Sequence, residues 1–395
     1  MAITRRGVMT GMAALSLTHP AWAQTGFSAW LSGFRTRARA AGIKATTLDN
    51  TLGSITYLPK VVQLDHKQAE TARSLQDYIS TAASSGRISG GTSALRKYKT
   101  LLGKIEKRFG VPKEIVTAIW GMESSFGGFR GTQPVLSVLA TLAFDGRRAA
   151  QFETELIAAL RIQQQGDITA NRMVGSHAGA MGHTQFMPST YQAHAVDWDG
   201  NGRRNIWSDD PSDALASTAA YLKSLGWKKG QPWGIEVTLP NGFDPALSGR
   251  VHKRSRQDWA KLGLRTARGA KLPDHGKGGL ILPAGPRGPA FLIYGNFQVL
   301  KGYNYADSYV LGVGHLADRL AGGAPIRSGY PQDPWGMTTS ERQNLQRGLN
   351  DAGFNAGRPD GVIGEKGRAA IRAWEKANGR RETGVPSRRL LEAVR

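Results

Sequence analysis

Residues 111–127 read VPKEIVTAIWGMESSFG, and the fold turns on how this stretch is read. Pro112 suits the first turn of a helix, where its missing N–H would have no partner anyway. Ile115, Ile119 and Glu123 then recur at i, i+4 and i+8, which sets a carboxyl on the apolar face of the helix. Gly127 and Gly128 follow as helix-ending residues. A carboxyl facing an apolar groove has its charged form disfavoured, so its pKa is expected to rise towards that of a general acid. The same spacing also fits a glutamate near a helix end that simply reaches solvent or caps a neighbour.

A second stretch, residues 176–190, reads SHAGAMGHTQFMPST. Its small residues let a ligand approach the backbone, and Gln185 and Ser176 can read amide and hydroxyl groups. Such a strip suits a sugar site. A tight core turn would not need so many polar side chains. No acid besides Glu123 occurs within residues 119–127 or 176–190.

The chain has 395 residues, enough for two or three domains with cores of their own. Its net charge of +22 points to a polyanionic partner: nucleic acid, anionic membrane or bacterial cell wall. Cysteine is absent, which excludes disulfides, thiolate nucleophiles, zinc–thiolate sites and a lipid-modified cysteine anchor. The N-terminus decides among the partners. Arg5 and Arg6, the short apolar stretch Val8 to Leu17 and the small-x-small site Ala21-Trp22-Ala23 form an export leader over 1–23. Thr4-Arg5-Arg6-Gly7-Val8-Met9 resembles a twin-arginine signal, with general secretion as the alternative route. An exported protein rarely meets nucleic acid, so the cell wall becomes the expected partner, in the periplasm and without a membrane anchor.

Helical spacing dominates from Gln24 to about Gln165, with stripes such as Leu95-Tyr98-Leu102-Ile105 and Leu136-Leu139-Leu142. From Gln231 to about Pro289, Gly and Pro punctuate short apolar runs, which predicts a small β-rich insertion. Helical spacing resumes at Phe291 and runs to Leu320. Ala321-Gly322-Gly323-Ala324-Pro325 then reads as a domain edge. The organisation expected is a leader (1–23), a main domain (24–325), a linker (326–334) and a separate helical unit (335–395).

On these residues the chain resembles the B-type lytic murein transglycosylases, which carry a lysozyme-like catalytic core. The resemblance rests on Ile119-Trp120-Gly121-Met122-Glu123-Ser124-Ser125-Phe126-Gly127, Ala140-Thr141-Leu142-Ala143-Phe144 with Arg147-Arg148, Gly179-Ala180-Met181-Gly182 with Gln185-Phe186-Met187-Pro188-Ser189, and Tyr303-Asn304 with Tyr309. It implies a mainly α (α+β) fold with a helical N-terminal region and the small β-rich insertion. Glu123 would be the sole acid/base, needing no catalytic cofactor. Tyr78, Arg147, Arg148, Ser176, Gln185, Phe186, Tyr303, Asn304 and Tyr309 would line the glycan groove; Tyr78 rests mainly on its spacing before Glu123. The implied reaction cuts the β-1,4 bond between N-acetylmuramic acid and N-acetylglucosamine and leaves 1,6-anhydromuramyl ends. A hydrolytic muramidase on the same scaffold and a non-catalytic wall-binding protein are the alternatives.

Asp197-Trp198-Asp199-Gly200-Asn201-Gly202 matches the start of a calcium loop, with oxygen ligands in the first, third and fifth places and Arg203 in the seventh. The twelfth place is Ser208 rather than the usual glutamate. In the resembled family the loop closes with a later aspartate, here Asp213, for a structural Ca²⁺ or an unmetallated Asp/Asn/Gly turn. Near the C-terminus, Leu345 to Asn350, Asp360-Gly361 with Gly364, and Ala370 to Glu375 resemble a three-helix peptidoglycan-binding domain. Its implied job is to hold the enzyme on its polymer.

Overall fold

The computed structural model describes residues 19–67, 74–330 and 337–394. The leader expected over 1–23 falls mostly outside them, and the first helix, His19–Ala40, runs through the expected cleavage point after Ala23. The chain divides into two compact units, 1–69 with 131–193 and 70–130 with 194–395.

In the first unit the Val135–Asp145 helix is apolar on every side and buried from Val135 to Ala143. A helix of that kind belongs in a core. It packs against the Ala149–Gln164 helix and the Pro59–Lys67 helix. Its two buried hydroxyls find donors at its side: Ser137 Oγ accepts from Thr56 N–H at 3.0 Å, and Thr141 Oγ1 from Leu58 N–H at 3.0 Å. Leaving either unpaired would cost about 1–3 kcal/mol. Phe27, Trp30, Tyr57 and Phe144 form an aromatic cluster beside it, with ring centroids 5.5–6.2 Å apart.

The second unit is built round the Lys113–Ser124 helix, whose residues Ile115 to Gly121 are buried. Leu102, Leu215, Leu222, Val310 and Val313 share its core. The apolar stripe Leu95 to Ile105 belongs to two helices, Ser85–Lys97 and Lys99–Phe109, because the backbone breaks at Tyr98. The Asp307–Leu320 helix packs along Lys113–Ser124. It approaches Trp233 so closely that a Cβ on Gly314 would lie 2.4 Å from the indole.

The expected β-rich insertion is a five-stranded antiparallel sheet. Its strands run Gly249–Arg254, Gly278–Ile281, Ala290–Ile293, Gly234–Thr238 and Arg265–Thr266 across the sheet. Phe291 lies in a strand rather than in the helix that its spacing predicts. Phe291 pairs with Ile281 on one side and Glu236 on the other, and the helix begins later, at Gly295–Tyr303. A four-residue apolar run has no period to separate strand from helix, and pairing on both sides decides it.

The C-terminal helices Thr339–Asp351, Glu365–Ala377 and Arg388–Ala393 enclose a core of their own, with Leu345, Leu349, Ile371, Trp374 and Leu391 at its centre. A reciprocal cap starts the first of them. Thr338 Oγ1 accepts from Glu341 N–H, and the Glu341 carboxylate accepts from Thr338 N–H.

Candidate active site

Glu123 lies in the last turn of Lys113–Ser124, one turn beyond the fully buried Ile119. Pro112 caps this helix from just outside rather than occupying its first turn. Its end also differs from expectation. Ser125 (φ 50°) and Phe126 (φ 60°) make the left-handed turn, ahead of Gly127. Side-chain-bearing residues pay for such a backbone with strain of order 1–3 kcal/mol unless packing holds them there. The Phe126 ring supplies that packing. It meets Trp120 edge-on at 5.8 Å and lies where a Cβ on Gly121 would be 2.6 Å away and one on Gly90 2.8 Å away. Ser124 Oγ accepts from Gly127 N–H at 2.9 Å and closes the turn. Glu123 is thereby fixed at a rigid helix end.

The Tyr309 hydroxyl, from the first turn of Asp307–Leu320, donates to Glu123 Oε1 at 2.6 Å. Burial pushes the Glu123 pKa up to about 7, and the Tyr309 hydrogen bond pulls the other way. Burial, with the neighbouring Glu123 carboxylate, holds the Tyr309 hydroxyl well above its ordinary range, so it stays a donor. With Oε1 occupied as acceptor, the proton of the neutral acid sits on Oε2, directed away from Tyr309. At neutral pH the carboxyl can both give and take a proton.

The aromatic floor extends from Tyr309. Tyr303 stacks on it at 6.4 Å with ring planes 4° apart, Tyr221 meets Tyr303 at 5.6 Å, and His194 stacks on Tyr221 at 4.6 Å. Tyr221 also donates its hydroxyl to Gly302 C=O at 2.9 Å, fixing the end of the Gly295–Tyr303 helix. Asn304 follows, its Oδ1 accepting from Ala306 N–H at 3.1 Å. Tyr78, on the Leu75–Ala82 helix, lies where a Cβ on Gly312 would be 2.9 Å away, one turn along from Tyr309. Glu123, Tyr309, Tyr303, Asn304 and Tyr78 thus belong to one unit. Tyr221 and His194 had no motif of their own; only long-range folding brings them beside Tyr303.

The other expected residues lie in the first unit. Ser176 Oγ accepts from Ala178 and Ala180 N–H, so its oxygen closes the glycine turn. Gln185 has a positive φ of 53° and donates Nε2–H to Gly182 C=O at 2.8 Å. Phe186 is 2% exposed, and its backbone pairs with Met181 in both directions, which makes it a packing residue of the strip. Arg147 and Arg148 both reach the Asp65 carboxylate, which lies almost fully buried while the two guanidiniums stay half exposed. Burial pushes the Asp65 pKa up, but the two arginines outweigh it and hold it below the ordinary range. Asp65 carries no local signal, being 82 positions from Arg147. Glu155, also unanticipated, caps the end of the strip by accepting from Ser189 N–H and Oγ–H at 2.8 and 2.6 Å.

Back in the second unit, carboxylate oxygens of Asp197, Asp199 and Asp213 lie within 4.8 Å of one another. Asp197 accepts from Gly200, Asn201 and Gly202 N–H, the tight turn of a cation loop. Asp213 is buried, where it accepts from Trp198 and Asn205 N–H, and burial raises its pKa. Asn201 Oδ1 accepts from Arg203 N–H. Three converging acids with hard oxygen donors fit a calcium ion.

A carboxyl with a raised pKa at a helix end, bonded by Tyr309 and next to the stacked Tyr303, is a candidate site for proton transfer. The chain belongs to the transglycosylase SLT domain family, whose model matches residues 26–318. A peptidoglycan binding domain model matches 338–394. The chain is 34% identical over 237 residues to the membrane-bound lytic murein transglycosylase B of Escherichia coli. That alignment spans 59% of this chain and 64% of the relative. The crystal structure of SltB3 from Pseudomonas aeruginosa in complex with NAG-NAM-pentapeptide matches with a TM-score of 0.76 and 42% identity, over 93% of this chain and 99% of that one. The Escherichia coli lytic transglycosylase Slt35 in complex with calcium matches with a TM-score of 0.64 and 29% identity, over 75% and 93%. The lysozyme-like, mainly helical fold expected from the sequence is the fold found.

Proposed function

We propose that this chain is a peptidoglycan lytic transglycosylase in which Glu123 is the only acid/base. The observation that carries this reading is the Glu123 carboxyl, raised to about 7 with one hydroxyl donor at 2.6 Å and no second acid among the influences on its proton. Ordinary glycosidases divide the work between two carboxylates. Here one group acts twice. Glu123 Oε2 protonates the glycosidic oxygen between N-acetylmuramic acid and N-acetylglucosamine, and the C1–O bond breaks. The substrate's 2-acetamido group stabilises the cationic centre at C1. Glu123, now a carboxylate, takes the proton from the C6 hydroxyl, whose oxygen closes onto C1. The product is a 1,6-anhydromuramyl end, and no water is consumed.

Tyr78, Tyr303, Asn304 and Tyr309 would position sugars beside Glu123 within the second unit. Residues 24–325 would form the cutting domain, 326–334 a linker and 335–395 the wall-binding domain. Among the described residues no helix is long and apolar enough to cross a membrane. The leader motif within residues 1–23 supports an exported enzyme working in the periplasm. The Asp197 loop, with Asp199, Asn201, the Arg203 carbonyl and Asp213, would hold a structural Ca²⁺ in support of the fold.

Digestion of purified sacculi in heavy-oxygen water tests the reaction. Anhydro ends without label are the expected product. Labelled reducing ends without anhydro ends would make the chain a hydrolytic muramidase instead.

A further inference from the structure

A polar cavity of about 480 Å³ opens between the Leu75–Ala82 helix and the turn that leads through Arg358, Asp360 and Val362. That volume lies within the range of small-ligand sites. The floor of the cavity is a buried network. Asp77 receives two hydrogen bonds from Arg342 Nη2, at 3.0 and 3.1 Å, one from Thr339 Oγ1 at 2.5 Å and one from Ser74 Oγ at 2.7 Å. Arg342 also donates to Met337 and Gly361 C=O, so the helix that carries Tyr78 and the Asp360-Gly361 turn are locked together. The Asp77 charge is consumed within this floor.

The rim is chemically different. Arg358 is an exposed cation on the cavity lining, and Gln346 Nε2 holds its carbonyl at 2.9 Å. Asp360 Oδ1 accepts from Val362 N–H at 2.9 Å, which orients its carboxylate on the same rim. Ser80 and Thr81 line the opposite wall and spend their hydroxyl hydrogens on helix carbonyls, leaving oxygen lone pairs as acceptors. A cation, an anion and hydroxyl acceptors around one cavity complement a peptide that carries both carboxylate and amino groups. A neutral sugar would leave the two charges unused.

We propose that this cavity is a second substrate site, which takes the zwitterionic peptide stem of peptidoglycan and so makes the enzyme prefer peptide-bearing glycan. The inference rests on the wall-degrading reading above and adds a substrate preference to it. Asp77 precedes Tyr78 directly, so a stem held over Asp77 lies on the same short helix as a residue of the glycan groove.

The test uses the full chain carrying Glu123→Gln, so that ligands are bound but not cut. Calorimetric titration compares a murein disaccharide bearing its stem peptide with the same disaccharide lacking it. The peptide-bearing ligand is expected to bind at least tenfold more tightly. Arg358→Gln, which removes the rim cation, and Ser80→Trp, which fills the cavity from an exposed helix position, are each expected to erase that difference while leaving the peptide-free ligand unaffected. Equal affinity for the two ligands, or a difference that survives both substitutions, overturns the proposal. The sacculus digest is a separate measurement, so failure of the proposed reaction shows there and not in the titration.

Discussion

Tyr309 donates its hydroxyl hydrogen to Glu123 Oε1 at 2.6 Å, joining two helices whose residues stand 186 positions apart. The bond engages Oε1 as the acceptor. It also lowers the pKa that burial raises, so the value of about 7 reflects two opposed influences.

Removing that bond has a signed consequence. In Tyr309→Phe only burial remains, so the Glu123 pKa moves further up. In the proposed reaction the neutral Glu123 carboxyl donates the first proton, so activity is expected to fall as it deprotonates. The alkaline limb of the kcat/KM profile therefore shifts to higher pH, while kcat at pH 7 drops roughly tenfold or more from lost positioning. A profile superimposable on the wild type would remove Tyr309 from the site.

Glu123→Gln keeps the shape of the side chain but can neither give nor take a proton. General acid–base catalysis contributes typically about 10²–10⁴-fold, and in the proposed reaction one residue supplies both steps. Release of soluble muropeptides from sacculi is expected to fall at least about 10³-fold, with wild-type circular dichroism retained. Digestion at the wild-type rate would show that the chemistry lies elsewhere.

The same substitution should stabilise the fold, and only at the alkaline end. The folded pKa of about 7 exceeds the unfolded value near 4.5. Below the unfolded value the carboxyl is neutral in both states and costs nothing. As pH rises to about 7 the unfolded chain loses the proton first, so stability declines; above 7 the loss is constant. At 1.36 kcal/mol per pH unit the upper limit is about 3 kcal/mol. Thermal unfolding should place Glu123→Gln several degrees above the wild type at pH 8 and level with it at pH 4. A pH-independent difference would contradict the burial of the carboxyl.

The helix that carries Glu123 could be read from residues 111–127 because its information is local: apolar residues every three to four positions and glycines beyond. Its ending could not. Ser125 and Phe126 hold positive φ because the Phe126 ring fits against Gly121 and Gly90, and Gly90 is 36 residues from that ring. Phe291 escapes its local pattern for a related reason, since its strand exists through partners at Glu236 and Ile281. Asp65, Tyr221 and His194 show the same limit. Motifs announce residues that cluster in sequence, whereas these three meet their partners only after the chain has folded. The three C-terminal helices were readable because their core closes within about 60 residues.

Calcium should act on stability rather than chemistry. Asp197, Asp199 and Asp213 concentrate negative charge within 4.8 Å, which a divalent ion would neutralise. An ion that binds the folded state alone adds about 2.7 kcal/mol at a hundred times its Kd. Adding calcium after chelation should raise Tm, and Asp213→Asn should abolish the rise while leaving kcat at 25 °C within twofold. A Tm that is insensitive to calcium at millimolar concentration would mean the acids form an unmetallated turn.

The last prediction concerns the pair that fixes the C-terminal helices to the Leu75–Ala82 helix. The Arg342 and Asp77 side chains are 4% and 9% exposed and 3.0 Å apart, so each is dry and dependent on the other. Removing one partner strands a buried charge, at a cost of about 3–5 kcal/mol. Arg342→Met or Asp77→Leu alone should lower the unfolding free energy from urea titration by that amount, whereas the double replacement should recover much of it, because no charge is left unpaired. Lys376→Ala provides the contrast: its contact with Glu382 is 4.0 Å long and mostly in water, so the unfolding free energy should hold within about 0.5 kcal/mol. If the double variant were as unstable as the two single losses added together, Arg342 and Asp77 would be acting independently. The hydrogen bonds from Thr339 and Ser74, rather than the ion pair, would then hold that junction.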